Sequence, residues 1–342
     1  MFRQPVKVVH MSNVVKKIGQ LFIAGFPGAD IPQPFLDFLS EDQLGGVILF
    51  ADNCPSQTAT RENIEQLKAC CKLSPPFIAI DQEGGRVSRL KGAPAEIKSA
   101  SEYGRENKIE SFIEEYRRSA VYMESMGINV NFAPVADICT NKENACLNDR
   151  CYGSDPGAVA MFVKASVNVA RSSGILSCLK HFPGLGAATN DPHEKTATAD
   201  YDMYEWRNHE MIPFADGVAA GADLIMTTHL RLPNIDDVIT TGSKKIVNEM
   251  IRQILAFDGP VITDDLTMEG AAELGDIGER TVAAFAAGHD LLLFGQNYEA
   301  AMRAYDHFVD AHLRGDITSE QILGALNRVA GIKYKLFRHV YQ

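Results

Sequence analysis

The stretch ILSCLKHF at 175–182 carries apolar or small residues into Lys180 and His181, and the turn PGLG follows at 183–186. A run this continuous suits a strand buried on both faces, the situation of parallel sheet covered by helices. Seven more runs of the same kind lie on either side of it. They are QLFIAGF at 20–26, GGVILF at 45–50, PFIAID at 76–81, NVNFAPVAD at 129–137, ADLIMTTHL at 222–230, GPVITDD at 259–265 and DLLLFG at 290–295. Helix-length stretches separate them. Residues 107–125 place Ile109, Phe112, Ile113 and Tyr116 near one face, and residues 244–256 do the same with Ile246, Met250, Ile251 and Ile254. Thr318 and Gln321 have capping-box spacing ahead of a last helix, which is expected to close the wall of the fold. Eight strand–helix units predict a (β/α)8 TIM barrel, read as a single domain over 1–342 with 1–13 as a loose extension. A doubly wound open sheet is the alternative, but no GxGxxG follows the first strand.

Composition narrows the function. The chain has 342 residues, is 46% hydrophobic, and sets 33 Lys and Arg against 44 Asp and Glu for a net charge of −11. A phosphate-backbone binder needs a dense basic stripe, which is missing, so no nucleic-acid partner is expected. No run approaches the roughly 20 apolar residues of a membrane span, and the first residues lack a signal-peptide pattern. The seven cysteines are odd in number and irregularly spaced, which favours free thiols and a cytoplasmic protein. Cys146 and Cys151 have no second Cys or His pair at zinc spacing, so no metal is expected.

The strand runs end in reactive groups: Asp81, Asp137, Lys180 with His181, His229, and Asp264 with Asp265. One polar residue at a strand end is commonly a cap or a loop anchor. Several converging from different strands mark an active site, because barrel chemistry sits at the carboxyl ends of strands. In DQEGGRVSRL at 81–90, Gly84 and Gly85 permit a sharp turn, Glu83 and Arg86 suit a structural ion-pair knot, and Asp81 is placed to bind a ligand hydroxyl. Arg150 offers a planar fork of donors on a long loop. Asp191 and His193 are spaced to hydrogen-bond, the carboxylate orienting the imidazole. Alternation along a strand sends Asp264 and Asp265 to different sides, leaving open which one faces the mouth.

Together, KHFPGLG with the DPH tripeptide at 191–193, DQEGGRVSRL and VITDDLTMEGA resemble the family 3 glycoside hydrolases over nearly the whole chain. Within them the chain is similar to the single-domain bacterial β-N-acetylglucosaminidases of peptidoglycan recycling, the NagZ type. The resemblance implies a retaining β-N-acetylhexosaminidase that releases terminal N-acetylglucosamine from muropeptide fragments. It makes Asp264 the nucleophile, His193 the acid/base and Asp191 its dyad partner. Asp81, Arg89, Arg150, Lys180, His181 and Met268 then surround the sugar. No cofactor is implied, the partner is a small carbohydrate, and the chain is expected to be a monomer or weak homo-oligomer. Two departures stand out: Leu185 replaces the second His of KHFPGHG, and Pro192 replaces the Ser of Asp-Ser-His. The first is expected to act on packing and the second on loop closure. A β-glucosidase or phosphorylase of the same family, and a non-catalytic sugar-binding barrel, are the rival readings.

Overall fold

The computed structural model describes residues 14–72, 74–92, 94–189 and 196–340, with side chains through 336. Residues 1–13, expected to be an extension, lie outside the described residues. Eight parallel strands form one sheet: β1 (Phe22–Ala24), β2 (Gly46–Leu49), β3 (Phe77–Ile80), β4 (Val130–Asn131), β5 (Leu176–Phe182), β6 (Leu224–Thr227), β7 (Val261–Ile262) and β8 (Leu292–Phe294). Each pairs with its sequence neighbour, and β1 pairs in turn with β8, as in Ile23 beside Leu293. The remaining seam, β7 to β8, is held by the parallel bridge Ile262–Leu291 and by the Leu266 N–H donating to the Leu293 carbonyl at 2.9 Å. This is a TIM-like barrel, and the seam excludes the open sheet.

A helix follows each strand: α1 (Gln33–Glu41), α2 (Gln57–Cys70), α3 (Ile109–Ser125), α4 (Pro156–Ser172), α5 (Met211–Ala219), α6 (Lys245–Ile254), α7 (Ile277–Ala287) and α8 (Tyr298–Arg314). The expected apolar faces turn inward. In α3 Phe112 and Tyr116 are buried and Ile109 and Ile113 half-buried. In α6, which winds more widely than an α-helix, Ile246, Met250 and Ile251 are buried. Every strand but β5 has four residues or fewer. Chain beyond them is released into loops at the carboxyl ends, where function resides.

The last helix, α9 (Ser319–Val340), has the predicted cap: the Thr318 N–H donates to Gln321 Oε1 and the Gln321 N–H to Thr318 Oγ1. Its expected place in the wall needs correction, since α8 is the wall helix of the eighth unit. Side chains of α9 reach residues just ahead of four different strands. Lys333 donates to Gln20 and Ser74, Lys335 pairs with Asp223, and Arg328 pairs with Asp290. Such contacts place α9 across the amino-terminal mouth of the barrel.

Candidate active site

At the opposite, carboxyl-terminal mouth lies a cavity of about 610 Å³, bordered by Asp81, Arg89, Arg150, Lys180, His181, Asp264 and Met268. Seven of the nine predicted site residues are therefore brought together. The other two, Asp191 and His193, lie outside the described residues.

The wall of the cavity is built from β3 outward. After Ile80 the chain turns back in a short antiparallel pair, Gln82–Gly84 with Val87–Ser88. Gly84 sits at φ 105°, and a Cβ there would lie 2.3 Å from the Lys98 carbonyl oxygen, so a larger residue would undo the turn. That turn aims Asp81 and Glu83 at Lys180, the cation near the end of β5. Lys180 Nζ donates to Asp81 at 2.7 Å and pairs with Glu83 at 2.6 Å while only 2% of its side chain is exposed. Glu83 also takes a two-pronged pair from Arg150, both bonds 2.8 Å. Burial by itself would raise the Glu83 pKa, but the Arg150 and Lys180 charges outweigh it and hold the carboxyl well below the usual range. For Lys180 burial opposes the charge, and Asp81 with Glu83 nonetheless raises its pKa. The expected knot of Glu83 with Arg86 is thus divided: Glu83 belongs to Arg150 and Lys180, whereas Arg86 pairs with Asp149. Arg89 stands 3.4 Å from the second oxygen of Asp81 and 5.5 Å over the Phe50 ring.

His181 is held from behind by Asp137, a fully buried carboxylate at the carboxyl end of the β4 run. Asp137 accepts from His181 Nδ1 at 2.7 Å and from the Leu185 N–H at 2.6 Å. A carboxylate only accepts and a guanidinium only donates, so Nδ1 carries the proton and Nε2 accepts from Arg150 at 3.2 Å. Asp137 is legible in the sequence only as one of the strand-end groups, without a partner, and Glu83 reads there as a loop brace. A carboxylate closing an apolar run was the available signal for Asp137. Leu185 is buried and lines the cavity, while Gly186 fits because a Cβ would sit 1.8 Å from the Ile138 carbonyl oxygen.

Asp264 and Asp265 both border the cavity, contrary to the expectation that one would turn away. Regular strand ends at Ile262, so strand alternation does not reach them. Both are held by hydrogen bonds at the mouth. Asp265 Oδ1 accepts from the Thr267 N–H at 2.9 Å and hydroxyl at 2.8 Å, and the Gly295 N–H on the neighbouring strand also favours its charge. Burial still raises the Asp265 pKa. Asp264 receives the Asp265 N–H at 2.8 Å, and its own N–H donates to the Thr227 carbonyl at 3.0 Å. His229, fully buried, bridges Thr241 Oγ1 at 2.7 Å and the Asp265 carbonyl at 2.9 Å, fixing the turn that bears both aspartates. Burial lowers the His229 pKa, which leaves it a neutral brace. A carboxylate at a mouth ringed by fixed cations and donors has the elements needed to bind a polyhydroxylated ligand and attack it.

Comparison with known proteins identifies the family. Residues 13–332 match the model of the glycosyl hydrolase family 3 N terminal domain. The chain is 31% identical over 282 residues to a β-hexosaminidase of Stenotrophomonas maltophilia, covering 80% of this chain and 82% of that one. It is 29% identical over 336 residues to β-hexosaminidase A of Pseudoalteromonas piscicida, covering 90% of this chain but 56% of the relative. A family 3 β-N-acetylglucosaminidase structure from Paenibacillus superposes with a TM-score of 0.91 at 30% identity, over 94% of this chain and 62% of that one. Both of these last two proteins are thus considerably longer than the part matched.

Proposed function

The chain belongs to glycosyl hydrolase family 3, and from that premise we propose that it hydrolyses terminal β-linked N-acetylhexosaminides with retention of configuration. The observation that carries the reading is the convergence of side chains from separate strands, Asp264 among them, on one cavity at the carboxyl-terminal mouth. Asp264 borders that cavity together with Asp81, Arg89, Arg150, Lys180 and His181, and Asp265, which borders it too, is braced by Thr267 and Gly295. Asp264 attacks the anomeric carbon as the bond to the leaving oxygen breaks, and His193 gives that oxygen its proton. The glycosyl-aspartate is then hydrolysed by a water whose proton returns to His193, with Asp191 orienting the ring. Lys180 holds Asp81 aimed so that it can accept from sugar hydroxyls, and Arg150 and Arg89 supply charge-assisted donors.

We assign as substrate a peptidoglycan fragment such as GlcNAc-1,6-anhydroMurNAc with or without its peptide. An imidazole acid/base suits such an acidic aglycone because, unlike a second carboxylate, it carries no negative charge in either its acid or its base form and does not repel it. The test measures hydrolysis of aryl β-N-acetylglucosaminide against aryl β-glucoside, with and without phosphate. Preference for the first, unaffected by phosphate, is expected. Activity on the glucoside alone, or a sugar 1-phosphate product, would overturn the reading. Trapping with a fluorinated sugar should label the peptide that contains residues 261–270 at Asp264, and label on Asp265 would reverse the choice of nucleophile.

A further inference from the structure

The loop after β4 carries two cysteines that the sugar site does not use. Cys139 is half-buried, Cys151 is buried, and their thiols hydrogen-bond each other. The backbone brings them together as well, because the Cys139 N–H donates to the Gly153 carbonyl at 2.9 Å. Each stands next to the site's framework. Cys139 is two residues past Asp137, which holds His181, and Cys151 directly follows Arg150. We propose that Cys139 and Cys151 are a reversible dithiol–disulfide pair, closed by small-molecule disulfides such as oxidised glutathione, and that closing it weakens sugar binding through Arg150. The effect on binding rests on the function proposed above; formation of the bond does not.

The chemistry follows from the two environments. The hydrogen bond from Cys151 lowers the Cys139 thiol to about 7, so near neutral pH much of this partly accessible sulfur is thiolate. It attacks the small disulfide, whose S–S bond breaks. A mixed disulfide forms on Cys139, and one thiol leaves with a proton taken from solvent. Cys151 is held protonated chiefly by its bond to Cys139 and then by burial. The mixed disulfide removes that first restraint, while the nearby Arg150 charge favours the thiolate. Cys151 then loses its proton to solvent, attacks the Cys139 sulfur and expels the second thiol. Two protein thiols are oxidised and one external disulfide is reduced to two thiols.

Bond formation requires the sulfurs to close from hydrogen-bond contact to about 2.05 Å. Cys151 is drawn toward Cys139, and Arg150 loses its alignment with Glu83 and His181. One charge-assisted bond weakened in this way corresponds to about a tenfold rise in KM, with little change in kcat.

The experiment exposes the full chain to oxidised glutathione and digests it, unreduced, with trypsin. Lys142 and Arg150 are cleavage points, so Cys139, Cys146 and Cys151 fall on the separate peptides 119–142, 143–150 and 151–164. A cross-link between the first and third, an intact mass lower by two hydrogens, and a KM rise that a dithiol reductant reverses are expected. Cys139→Ser should keep the KM of the reduced enzyme and lose the response. A cross-link through the Cys146 peptide, a reaction that stops at the glutathione adduct, or an unchanged KM in the cross-linked protein would overturn the proposal. If the reduced enzyme hydrolysed no N-acetylhexosaminide, the proposed function would fail, and the peptide map would still decide whether the bond forms.

Discussion

The two mouths of this barrel use the same residue types for opposite ends. At the amino-terminal mouth, carboxylates bind neighbouring strands and the covering helix at once. Asp223 Oδ2 accepts the Ser177 N–H at 3.0 Å and Oδ1 takes Lys335 at 2.7 Å. Asp290 Oδ2 accepts the Val261 N–H at 2.9 Å and pairs with Arg252, while Oδ1 pairs with Arg328. Those oxygens are committed to the fold. At the carboxyl-terminal mouth, Lys180, Arg150 and Glu83 are equally well paired, but the cluster borders an open cavity and leaves Asp81 and Asp264 on its surface. Pairing there fixes geometry for a ligand, whereas below it ties strand to strand. Asp137 and Asp265 are the exceptions that support the rule, since they act at the upper mouth as braces for His181 and Thr267.

Substitutions should separate the two uses. The largest effect is expected for Asp264→Ala, which should lower kcat/KM at least about 10⁴-fold with an unchanged melting temperature, because it removes the proposed nucleophile. Asp265→Ala should cost catalysis far less and stability about 1–3 kcal/mol, by leaving the Thr267 donors without their acceptor. If the two variants behaved alike, the division of labour between neighbouring aspartates would be wrong.

A second contrast matches Glu83→Gln with Asp290→Asn. Each removes the charge from a buried carboxylate that faces two cations, and each should cost about 3–5 kcal/mol of stability by denaturant unfolding. Only Glu83→Gln should also lower kcat/KM, by about 10–100-fold, as Arg150 and Lys180 lose their anchor. Asp290→Asn acts at the far end of the barrel and should leave kcat/KM within about twofold, as independent distant sites do. A comparable catalytic loss in both would mean that stability and activity are not divided between the mouths.

How much of this contrast the sequence reveals depends on the range of the interaction. Strand cores such as FIAI at 77–80 and LSCLKHF at 176–182 are legible because burial on both faces leaves a continuous apolar run. Lys180 and Asp81, which line the cavity, are legible as candidate site residues because each sits at the end of such a run. Partnerships across the barrel were not: Glu83 meets Arg150 from 67 residues away, and no local period records this. Arg86 is the partner that local spacing suggests for Glu83, and three-dimensional proximity overrides it. The position of α9 escaped for the same reason, since an amphipathic helix looks alike against a wall or beneath a floor. Its clue lies in Arg328, Lys333 and Lys335, basic residues that meet polar groups ahead of separate strands.

The smallest expected effect concerns two buried titratable groups, one at each mouth, with opposite pH windows. Glu210 lies near the KHFPGLG turn, where a Cβ added to Gly184 would come within 2.7 Å of its Oε2. Burial first, and then the Asp137 charge, push its carboxyl up to about 8 from an ordinary 4.5. The folded chain therefore holds a proton that the unfolded chain releases between those values. Its stabilising contribution is present below 4.5 and is lost as pH rises toward 8. Lys333, beneath the barrel, is pushed by burial down to about 7 from 10.5, so its contribution is present above 10.5 and lost as pH falls toward 7. Glu210→Gln should consequently gain stability over the parent as pH rises from 5 to 8. Lys333→Met should gain as pH falls from 10 to 7, each by a few kcal/mol at most, read as pH-dependent differences in unfolding free energy. Because the two shifts run in opposite directions, a general effect of either variant on packing would not reproduce them. Parallel pH curves for a variant and its parent would show that the substituted group is not held in its neutral form.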